Sequence, residues 1–219
     1  MNSVIILAAG EGRRFDSNVP KQFHDLTEEF TVLEKNIHFF TNNNFIDELI
    51  IVVSRKWEKK INKSDKVKVV YGGNQRFNSS LNGLIACSSK CKNVLIHDAA
   101  RPFVTNEIIF DCINALKEYD AVLPVISIED SVLEFKNDKI NYLNRENIKR
   151  AQTPQAFRYN KILNTYKKLS KDDYLKYSDD FSIFINYNKD AKFTFINGDK
   201  INLKITYKKD IELTKKNII

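Results

Sequence analysis

Residues 4–12 read Val-Ile-Ile-Leu-Ala-Ala-Gly-Glu-Gly, an apolar run that passes directly into a loop of small residues. An apolar run bounded by glycine is typical of a strand that is buried on both faces. Small residues let the backbone approach a phosphate closely, and exposed N–H groups there can bind its oxygens. The stretch therefore predicts the first strand of an α/β fold, with a ligand-binding loop at its carboxyl end.

Further apolar, β-branched runs follow along the chain, and each precedes a segment with helical character. With the first strand, these runs are Val4–Leu7, Leu49–Val53, Val67–Tyr71, Val94–Ile96 and Ala121–Val125. Strands that alternate with helices favour a Rossmann-like, mainly parallel sheet with helices on both faces. We expect one nucleotide-binding domain spanning residues 1–219.

The alternation breaks at about residues 127–149. Two strand-like runs, Ser131–Phe135 and Lys139–Leu143, flank the polar trio Lys136-Asn137-Asp138. This pattern predicts a projecting β-hairpin arm. After the arm we expect two helices, two short strands and a closing helix, at Tyr159–Leu169, Asp179–Tyr187, Phe193–Ile196, Asn202–Ile205 and from about Lys209.

The composition narrows the class of protein. The formal net charge of +7 favours anionic partners, which include nucleic acid, a membrane surface and phosphorylated metabolites. The lysines are spread along the chain, so the charge alone does not choose among these partners. No apolar run approaches the length of a membrane span, and the apolar start lacks the basic residues of a signal peptide.

The cysteines and histidines show no metal-binding pattern. The chain has an odd number of cysteines, three, and none of them has CxxC spacing. The three histidines are not spaced from other potential metal ligands as in known metal sites. These residues are Cys87, Cys91 and Cys112, and His24, His38 and His97. We therefore expect reduced thiols, no zinc site and a soluble cytoplasmic protein.

The first loop continues through Arg13 and Arg14 to Lys21. It has no Gly-Lys-Ser/Thr ending, and Phe15 stands where a dinucleotide fingerprint has its third glycine, so neither motif fits. A glycine turn with cations on both sides suits a polyphosphate that gains negative charge during transfer. Arg14 and Lys21 are the candidate stabilisers of that charge. The alternative is that these cations are exposed loop charges around a structural turn.

Two further loops follow predicted strands. Residues 72–80 begin with paired glycines and end with serines, which could admit a nucleobase edge. The alternative there is a tight turn in which Asn74 or Ser79 caps a helix. In the third loop, Asp98 directly follows a buried strand and is placed to bind a magnesium–triphosphate or a sugar hydroxyl. The alternative is a local ion pair between Asp98 and Arg101, and for His97 we favour a packed ring.

Together these motifs resemble the family of 2-C-methyl-D-erythritol 4-phosphate cytidylyltransferases and their relatives that act on ribitol 5-phosphate. The combination of Leu-Ala-Ala-Gly, Pro-Lys-Gln, His-Asp-Ala-Ala-Arg-Pro and Gln-Thr-Pro-Gln in one chain is specific. The resemblance reaches nearly the end of the chain. It includes Asp130-Ser131, Asn144-Arg145, Ser178-Asp179-Asp180 and residues 202–206.

The resemblance implies roles for individual residues. It places the cytosine and ribose of CTP among a set of small residues, namely Ala8, Ala9, Gly10, Gly12, Gly73, Ser79 and Ala99. Asp98 would lie near the ribose, the Mg²⁺ ion and the acceptor. The acceptor would be held by Asp98, Arg101, Ser131, Arg145, Ser178 and Lys204.

The resemblance also implies that the catalytic cations are Arg14, Lys21, Arg145 and Lys204. The arm that carries Ser131 and Arg145 would reach into the partner subunit of a homodimer. The expected substrates are CTP and a small polyol phosphate, with no nucleic acid or membrane partner, and the products are a CDP-polyol and pyrophosphate.

The chain departs from the family pattern where Ser131 and Ser178 replace threonine and where residues 28–30 read Glu-Glu-Phe instead of Gly-Lys-Pro. Losing two methyl groups from an acceptor pocket shifts discrimination by about 1–3 kcal/mol. Ala9 and Ala100 favour methylerythritol phosphate, and the serines leave ribitol 5-phosphate open. Two alternatives from other classes are a nucleic-acid-binding protein and a nucleotide-binding protein without catalysis.

Overall fold

An eight-stranded sheet forms the centre of the fold in the computed structural model, which describes residues 1–12, 15, 18–61, 65–170 and 176–217. The described strands are Asn2–Leu7 (β1), Glu48–Val53 (β2), Val67–Tyr71 (β3), Asn93–Asp98 (β4), Ala121–Ser127 (β5), Val132–Lys136 (β6), Lys139–Leu143 (β7), Lys149–Ala151 (β8), Gln155–Arg158 (β9) and Phe193–Asn197 (β10). The sheet order is β10-β5-β9-β4-β1-β2-β3, with β8 paired to β5.

Most strand pairs are parallel, as the sequence predicts. β1 pairs in parallel with β2 and β4, β2 with β3, and β5 with β10. The exceptions are β9, which lies antiparallel between β4 and β5, and β8, which is antiparallel to β5. The chain moves outward from β1 through β2 to β3 and then crosses back to β4 on the other side of β1. This reversal creates a crevice at the carboxyl ends of β1 and β4, where open α/β sheets bind ligands.

Helices cover both faces of the sheet. They are Val32–Thr41 (α1), Arg76–Ala86 (α2), Asn106–Ala115 (α3), Tyr159–Lys168 (α4), Asp180–Tyr187 (α5) and Lys208–Asn217 (α6). Successive side chains of a strand point to opposite faces. Accordingly Ile5 joins the core cluster that contains Phe184 of α5, whereas Ile6 joins the cluster that contains Phe40 of α1 and Ile109 of α3. This double-sided burial explains the unbroken apolar runs Val4–Leu7 in β1 and Leu49–Val53 in β2.

The predicted hairpin arm is present as β6 and β7, which form a two-stranded antiparallel sheet. The residues between them, Asn137 and Asp138, have φ values of 50° and 57°. Two consecutive left-handed residues are typical of the type I′ turn that suits the twist of a hairpin. Both are residue types that tolerate this conformation, so the polar trio identified in the sequence is a hairpin turn.

One element was predicted wrongly and two were missed. Residues 202–206, expected to include a strand, have no regular secondary structure. The short strands β8 and β9 were not foreseen, because neither Lys149–Ala151 nor Gln155–Arg158 has an alternating or β-branched pattern. Among the described residues, no helix is both long and apolar enough to span a bilayer.

Candidate active site

The glycine loop after β1 is held in shape by Gln22. The buried side-chain amide of Gln22 donates to the carbonyl oxygens of Ala8, at 2.6 Å, and Gly10, at 2.9 Å. The amide of Ala8 donates to Val52 O of the neighbouring strand at 2.8 Å. Open space lies beside Gly10, since a Cβ built there would meet no atom within 4 Å. The loop is thus rigidly backed and faces free volume.

Gly12 and Lys21 lie against each other on the far side of this loop. Gly12 has a φ of +67°, a left-handed conformation that glycine adopts without strain. A Cβ at this position would lie 3.5 Å from Lys21 Cγ. Lys21 Nζ in turn donates to Ile205 O at 2.5 Å. The predicted cation of the first loop therefore reaches the last segment of the site, whereas Arg14 lies outside the described residues.

The second loop packs directly on the first. A Cβ on Gly72 would lie 2.3 Å from Ala9 Cβ and 2.8 Å from Ser79 Oγ, so only glycine allows this approach. The amide of Gly73 donates to Ser79 Oγ at 3.3 Å. Ala9, Gly73 and Ser79, all predicted to contact the nucleoside, are thus brought together.

The proposed helix cap in this loop was wrong. Gln75 caps α2, and its side chain and that of Asn78 exchange hydrogen bonds with each other's backbone amides. Neither Asn74 nor Ser79 takes that part, which leaves the Ser79 hydroxyl turned to the glycines. The first residue of α2, Arg76, thereby sits at the mouth of the crevice.

Asp98 ends β4 and is the centre of charge in the site. Its Oδ2 accepts from Lys204 Nζ at 2.6 Å, and its Oδ1 faces Arg76 Nη2 at 3.3 Å. Burial alone would raise the pKa of Asp98, but Arg76 and Lys204 hold the pKa of this carboxyl well below its usual range. The two cations therefore favour the ionised form of Asp98.

The segment that carries Lys204 is anchored by Arg101 rather than by strand pairing. Arg101 Nη1 donates to Asn202 O at 2.7 Å, and the amide of Ile205 donates to Ala100 O at 2.8 Å. The expected alternative of an Asp98–Arg101 ion pair is therefore incorrect, because the partners of Asp98 are Arg76 and Lys204. Burial lowers the pKa of Arg101, and Asp98 partly opposes that shift. Arg101 thus holds the segment that carries Lys204.

His97 is a packed ring, as predicted. It is fully buried, and Thr153 Oγ1, which already accepts from the amide of Asp98, lies 3.1 Å from His97 Nδ1. His97 Nε2 faces two acceptors, Arg101 O at 2.9 Å and Asn36 Oδ1 at 3.0 Å, so Nε2 carries the proton of the neutral ring and Nδ1 accepts from the Thr153 hydroxyl. Burial lowers the pKa of His97 to about 4, so the ring is neutral at physiological pH.

Ala99 joins this third loop to the first. It is buried, and its amide donates to Leu7 O at 3.2 Å. The carboxyl ends of β1 and β4 are thus tied together directly behind Asp98. The residues of these two loops that were predicted to bind the nucleotide therefore lie at the same edge of the sheet.

Two charged residues of the site were missed by the sequence reasoning. Arg76 Nη1 donates to Asp180, a fully buried carboxylate at the first position of α5. Burial alone would lower the pKa of Arg76, and the carboxylates of Asp180 and Asp98 raise it above its ordinary value. Arg76 could have been identified from its place in a ligand-facing loop before a helix. The residues near it in the sequence do not indicate which carboxylates it pairs with.

A cavity of about 300 Å³ opens beside Arg76. Ser178, predicted to hold the acceptor, contributes to its wall together with Tyr177 and Asp179. The Ser178 side chain is exposed, while Asp179 caps α5. The predicted acceptor residue Ser178 therefore lies next to the charged residues around Asp98.

Ser131 and Arg145 are placed apart from this centre. Both are exposed, and Arg145 Nη1 donates to Glu129 O at the root of the arm, at 2.6 Å. In the described part of the chain, neither residue hydrogen-bonds to Asp98 or Lys204. One chain therefore brings Lys21, Asp98 and Lys204 together and leaves Arg145 outside.

The described residues include no group of three or more His, Cys, Asp or Glu side chains that could hold a metal ion alone. Asp98 offers one carboxylate whose oxygens face cationic side chains. Mg²⁺ is commonly bound by one or two carboxylates together with substrate phosphates. The donor set fits a magnesium ion that arrives with a triphosphate and does not fit a pre-formed, all-protein metal cage.

Comparisons with known proteins agree with this geometry. The sequence model of the family described as IspD, 2-C-methyl-D-erythritol 4-phosphate cytidylyltransferase, matches residues 2–218. The cytidylyltransferase of that name from Clostridium botulinum strain Langeland is 39% identical and is aligned over 97% of this chain and 95% of its own length. The enzyme of that name from Clostridioides difficile is 35% identical over 97% of this chain and 92% of its own.

A solved structure is similar over the whole chain. The crystal structure of 4-diphosphocytidyl-2C-methyl-D-erythritol synthase from Anaerococcus prevotii superposes with a TM-score of 0.85 at 29% identity, covering 100% of this chain and 96% of that one. The match therefore includes the crevice and the arm as well as the central sheet. From sequence and structure together, the chain belongs to the 2-C-methyl-D-erythritol 4-phosphate cytidylyltransferase family.

Proposed function

We propose that this chain transfers CMP from CTP to 2-C-methyl-D-erythritol 4-phosphate and releases pyrophosphate. The observation that carries the proposal is the meeting of Lys21 and the Lys204–Ile205 segment beside Asp98, at the sheet edge where such folds bind nucleotides. Membership of the family supports it along the full length of the chain. The relatives are named as cytidylyltransferases, which argues against the nucleic-acid-binding and non-catalytic alternatives.

In the proposed reaction, a phosphate oxygen of the acceptor attacks the α-phosphorus of CTP. The bond from the α-phosphorus to the oxygen that bridges it to the β-phosphorus breaks, and its electron pair leaves with pyrophosphate. A phosphate monoester has a second pKa of about 6, so the nucleophile is largely dianionic at neutral pH and needs no general base. This agrees with the buried position of His97, which faces protein groups only.

The main task of the protein is then to bring two polyanions together against their repulsion. We assign Lys21 to the triphosphate, with Arg14 as a second cation, and Lys204 to the phosphate of the acceptor. Lys204 is paired with Asp98 and is 41% exposed, so it can turn to an arriving phosphate. The charges of the site are thus matched to two phosphate esters.

Asp98 is the protein group that would hold Mg²⁺ together with the phosphate oxygens of CTP. When bound there, Mg²⁺ neutralises negative charge on the triphosphate and polarises its phosphoryl oxygens. If Lys204 turned to a phosphate, Asp98 Oδ2 would be available to a metal ion. Arg76 remains on the other oxygen.

We assign the nucleoside to the pocket between the first two loops. Ala9, Gly73 and Ser79 meet there, and the small side chains allow a base to approach the backbone closely. Ala8 and Gly10 form the floor of the same pocket, backed by Gln22. A rigid pocket of this kind recognises a base by its hydrogen-bonding edge.

We propose that the arm completes the acceptor site of a second subunit. The four cross-strand paired side chains Leu133, Phe135, Ile140 and Tyr142 form one face of the hairpin, and all are exposed. Phe135 is 72% and Tyr142 is 74% exposed. An isolated two-stranded hairpin is marginally stable in water, so an apolar face of this size requires a cover. A second copy of the chain provides one and brings Ser131 and Arg145 to the partner's Asp98 corner.

This assembly is tested by placing a charge on either face of the arm. Phe135→Asp is expected to convert a dimer into monomers in sedimentation velocity, because it buries a charge in the proposed interface. Lys136→Asp, on the opposite face of the same strand, serves as the matched control and should leave the dimer intact. A wild-type chain that sediments as a monomer, or a dimer unaffected by Phe135→Asp, would refute the assembly.

The activity is tested by a pyrophosphate-release assay with CTP and three acceptors: 2-C-methyl-D-erythritol 4-phosphate, ribitol 5-phosphate and glycerol 3-phosphate. The first should exceed the others by about ten- to two-hundredfold in kcat/KM, the range that a few pocket contacts provide. A preference for ribitol 5-phosphate would assign the chain to the related acceptor. Absence of release with all three would disprove the proposed function.

A cytoplasmic location is part of the same proposal. The three cysteines are free thiols and all are buried in the described structure, as expected for a reducing compartment. The substrates are charged small molecules, and the proposed reaction requires no membrane or nucleic-acid partner.

A further inference from the structure

A buried row of hydrogen bonds and ion pairs runs from the core to the active-site carboxylate. Tyr166 on α4 donates its hydroxyl to one oxygen of Asp180, and the other oxygen accepts from Arg76. Arg76 faces Asp98 with its second guanidinium nitrogen, and Asp98 accepts from Lys204. Both oxygens of each carboxylate are used, so each group orients the next.

The inner end of this row is rigid. Tyr166 is 2% exposed and Asp180 is fully buried, and the ring of Phe77 stacks on Tyr166 with centroids 4.9 Å apart and 15° between the planes. Phe77 directly follows Arg76, so Tyr166 holds this segment both by stacking and through Asp180. A buried carboxylate is tolerated only when it is paired and hydrogen-bonded, so Asp180 restricts Arg76 to a narrow range of positions.

The outer end opens to the site. About a third of the Arg76 side chain, 35%, reaches solvent, and Asp98 is 13% exposed. The guanidinium is a planar fork that can bridge two carboxylates at once, which an ammonium on a flexible stem cannot do in the same way. Without Asp180, Arg76 would be free to turn wholly to Asp98 or to solvent, and the orientation of the Asp98 carboxylate would change.

We propose that Tyr166 and Asp180 are positioning residues that act through Arg76 to orient Asp98 for the transfer step. The inference rests on the proposed function, since Asp98 is the group that meets metal, ribose and acceptor there. Arg76 keeps Oδ1 of Asp98 occupied, so that Oδ2 is the oxygen exchanged between Lys204 and the substrate complex. Misplacement of a catalytic group by about 1 Å can lower a rate by up to a hundredfold.

Tyr166→Phe tests the idea, with Tyr159→Phe as its control. Both tyrosines lie on α4 in the same core cluster, but the hydroxyl of Tyr159 donates to Leu84 O and has no part in the row. We expect Tyr166→Phe to lose more Tm than Tyr159→Phe, because it removes a donor from the buried Asp180 carboxylate, so both are assayed well below their Tm values. Tyr166→Phe should lower kcat about tenfold with KM values within about twofold, whereas Tyr159→Phe should keep the kcat of the wild type. Equal kcat values for the two variants would overturn the proposal.

A double-mutant cycle separates positioning from packing. Arg76→Lys keeps a positive charge but cannot bridge both carboxylates. If Tyr166 acts through Arg76, adding Tyr166→Phe to Arg76→Lys will lower kcat by less than twofold further. Fully multiplicative effects of the two changes would contradict this route.

An NMR measurement tests the row without any turnover. In the wild type we expect slowly exchanging side-chain N–H signals from Arg76, assigned by their loss in Arg76→Lys. The hydrogen-exchange rate of these signals should rise at least about tenfold in Tyr166→Phe and should not change in Tyr159→Phe. If the protein shows this exchange pattern but releases no pyrophosphate, the proposed function is disproved, while the row of hydrogen bonds from Tyr166 to Asp98 remains supported. Unprotected Arg76 signals in the wild type would disprove the row itself.

Discussion

The Asp98 corner and the arm differ in how completely one chain builds them. At Asp98, residues from four distant parts of the sequence meet through hydrogen bonds and ion pairs, and the carboxylate is mostly buried. On the arm, Ser131 and Arg145 are exposed, and an apolar face has no cover among the described residues of the chain. Under the proposed function, the corner around Asp98 is organised within one chain, and the arm completes the acceptor side from a second subunit.

The sharpest test of the Asp98 corner is removal of Lys204. Lys204→Ala should lower kcat by about 10²–10³-fold, the usual cost of losing one charge-stabilising group. Lys208→Ala, an exposed lysine at the start of α6, is the control and should stay within about twofold of the wild type. Steady-state pyrophosphate release measures both. Near-normal turnover of Lys204→Ala would remove this residue from the mechanism.

The next largest effect is expected at Lys21. Lys21→Ala should reduce kcat about a hundredfold with a smaller change in the Kd for CTP, because its charge is needed most when pyrophosphate departs. Kinetics combined with calorimetric titration of CTP separates the two quantities. A variant with wild-type kcat and weakened CTP binding would show that Lys21 contributes binding alone.

Arg145 tests the other half of the comparison. Arg145→Ala should raise the KM for the acceptor about tenfold and leave the Kd for CTP within about twofold, since the arm touches only the acceptor half. Measuring each substrate separately checks this. Weakened CTP binding in the variant would contradict the division of the site.

Mixed dimers show whether the arm works across the interface. At an acceptor concentration well below its KM, homodimers of Lys204→Ala and of Arg145→Ala are each expected to turn over slowly. When both chains are co-expressed with different tags and the mixed dimer is isolated, one site combines an intact Lys204 with the partner's intact Arg145. We expect about half of the wild-type activity per dimer. No recovery in the mixed dimer would place Arg145 in the site of its own chain.

The smallest effect concerns stability and pH at His97. Its pKa is 6.5 when unperturbed and about 4 in the folded protein, so the unfolded chain binds the extra proton between these values. The stabilisation from a neutral His97 is complete above pH 6.5 and is lost as the pH falls toward 4, by about 3 kcal/mol. Urea unfolding at several pH values measures the slope of the unfolding free energy against pH. His97→Gln should flatten it, and equal slopes for both proteins would contradict the assignment.

The elements that could be predicted from the sequence are those determined by a short local pattern of residues. The buried strands were found because apolar residues such as Val4–Leu7 and Leu49–Val53 leave no polar face, and the arm because its strands flank a turn-forming Asn-Asp pair. The strand Gln155–Arg158 was missed because its burial depends on being inserted between β4 and β5, which no short pattern records.

The candidate site divides in the same way. Asp98 was recognisable from its place after a buried strand, and Lys21 from its place beyond the glycine loop. The bridge from Asp98 through Arg76 to Asp180 could not be recognised from the sequence. Arg76 is 22 positions from Asp98 and 104 positions from Asp180, and the three residues meet only when helices α2 and α5 pack on the sheet. The alternative of an Asp98–Arg101 ion pair was wrong for a related reason. The neighbour of Arg101 in sequence is an aspartate, but its partners in space are the carbonyls of Asn202 and Ala151.

The left-handed turn at Asn137 and Asp138 offers a place to divide the protein. A cut there separates Lys21, in one fragment, from Lys204, in the other, while strand β5 of the first fragment still has β8, β9 and β10 of the second as pairing partners. Under the proposed function, neither fragment alone carries both of these cations. Nucleotide transfer by such a split protein would therefore report directly on whether two fused bait proteins have met.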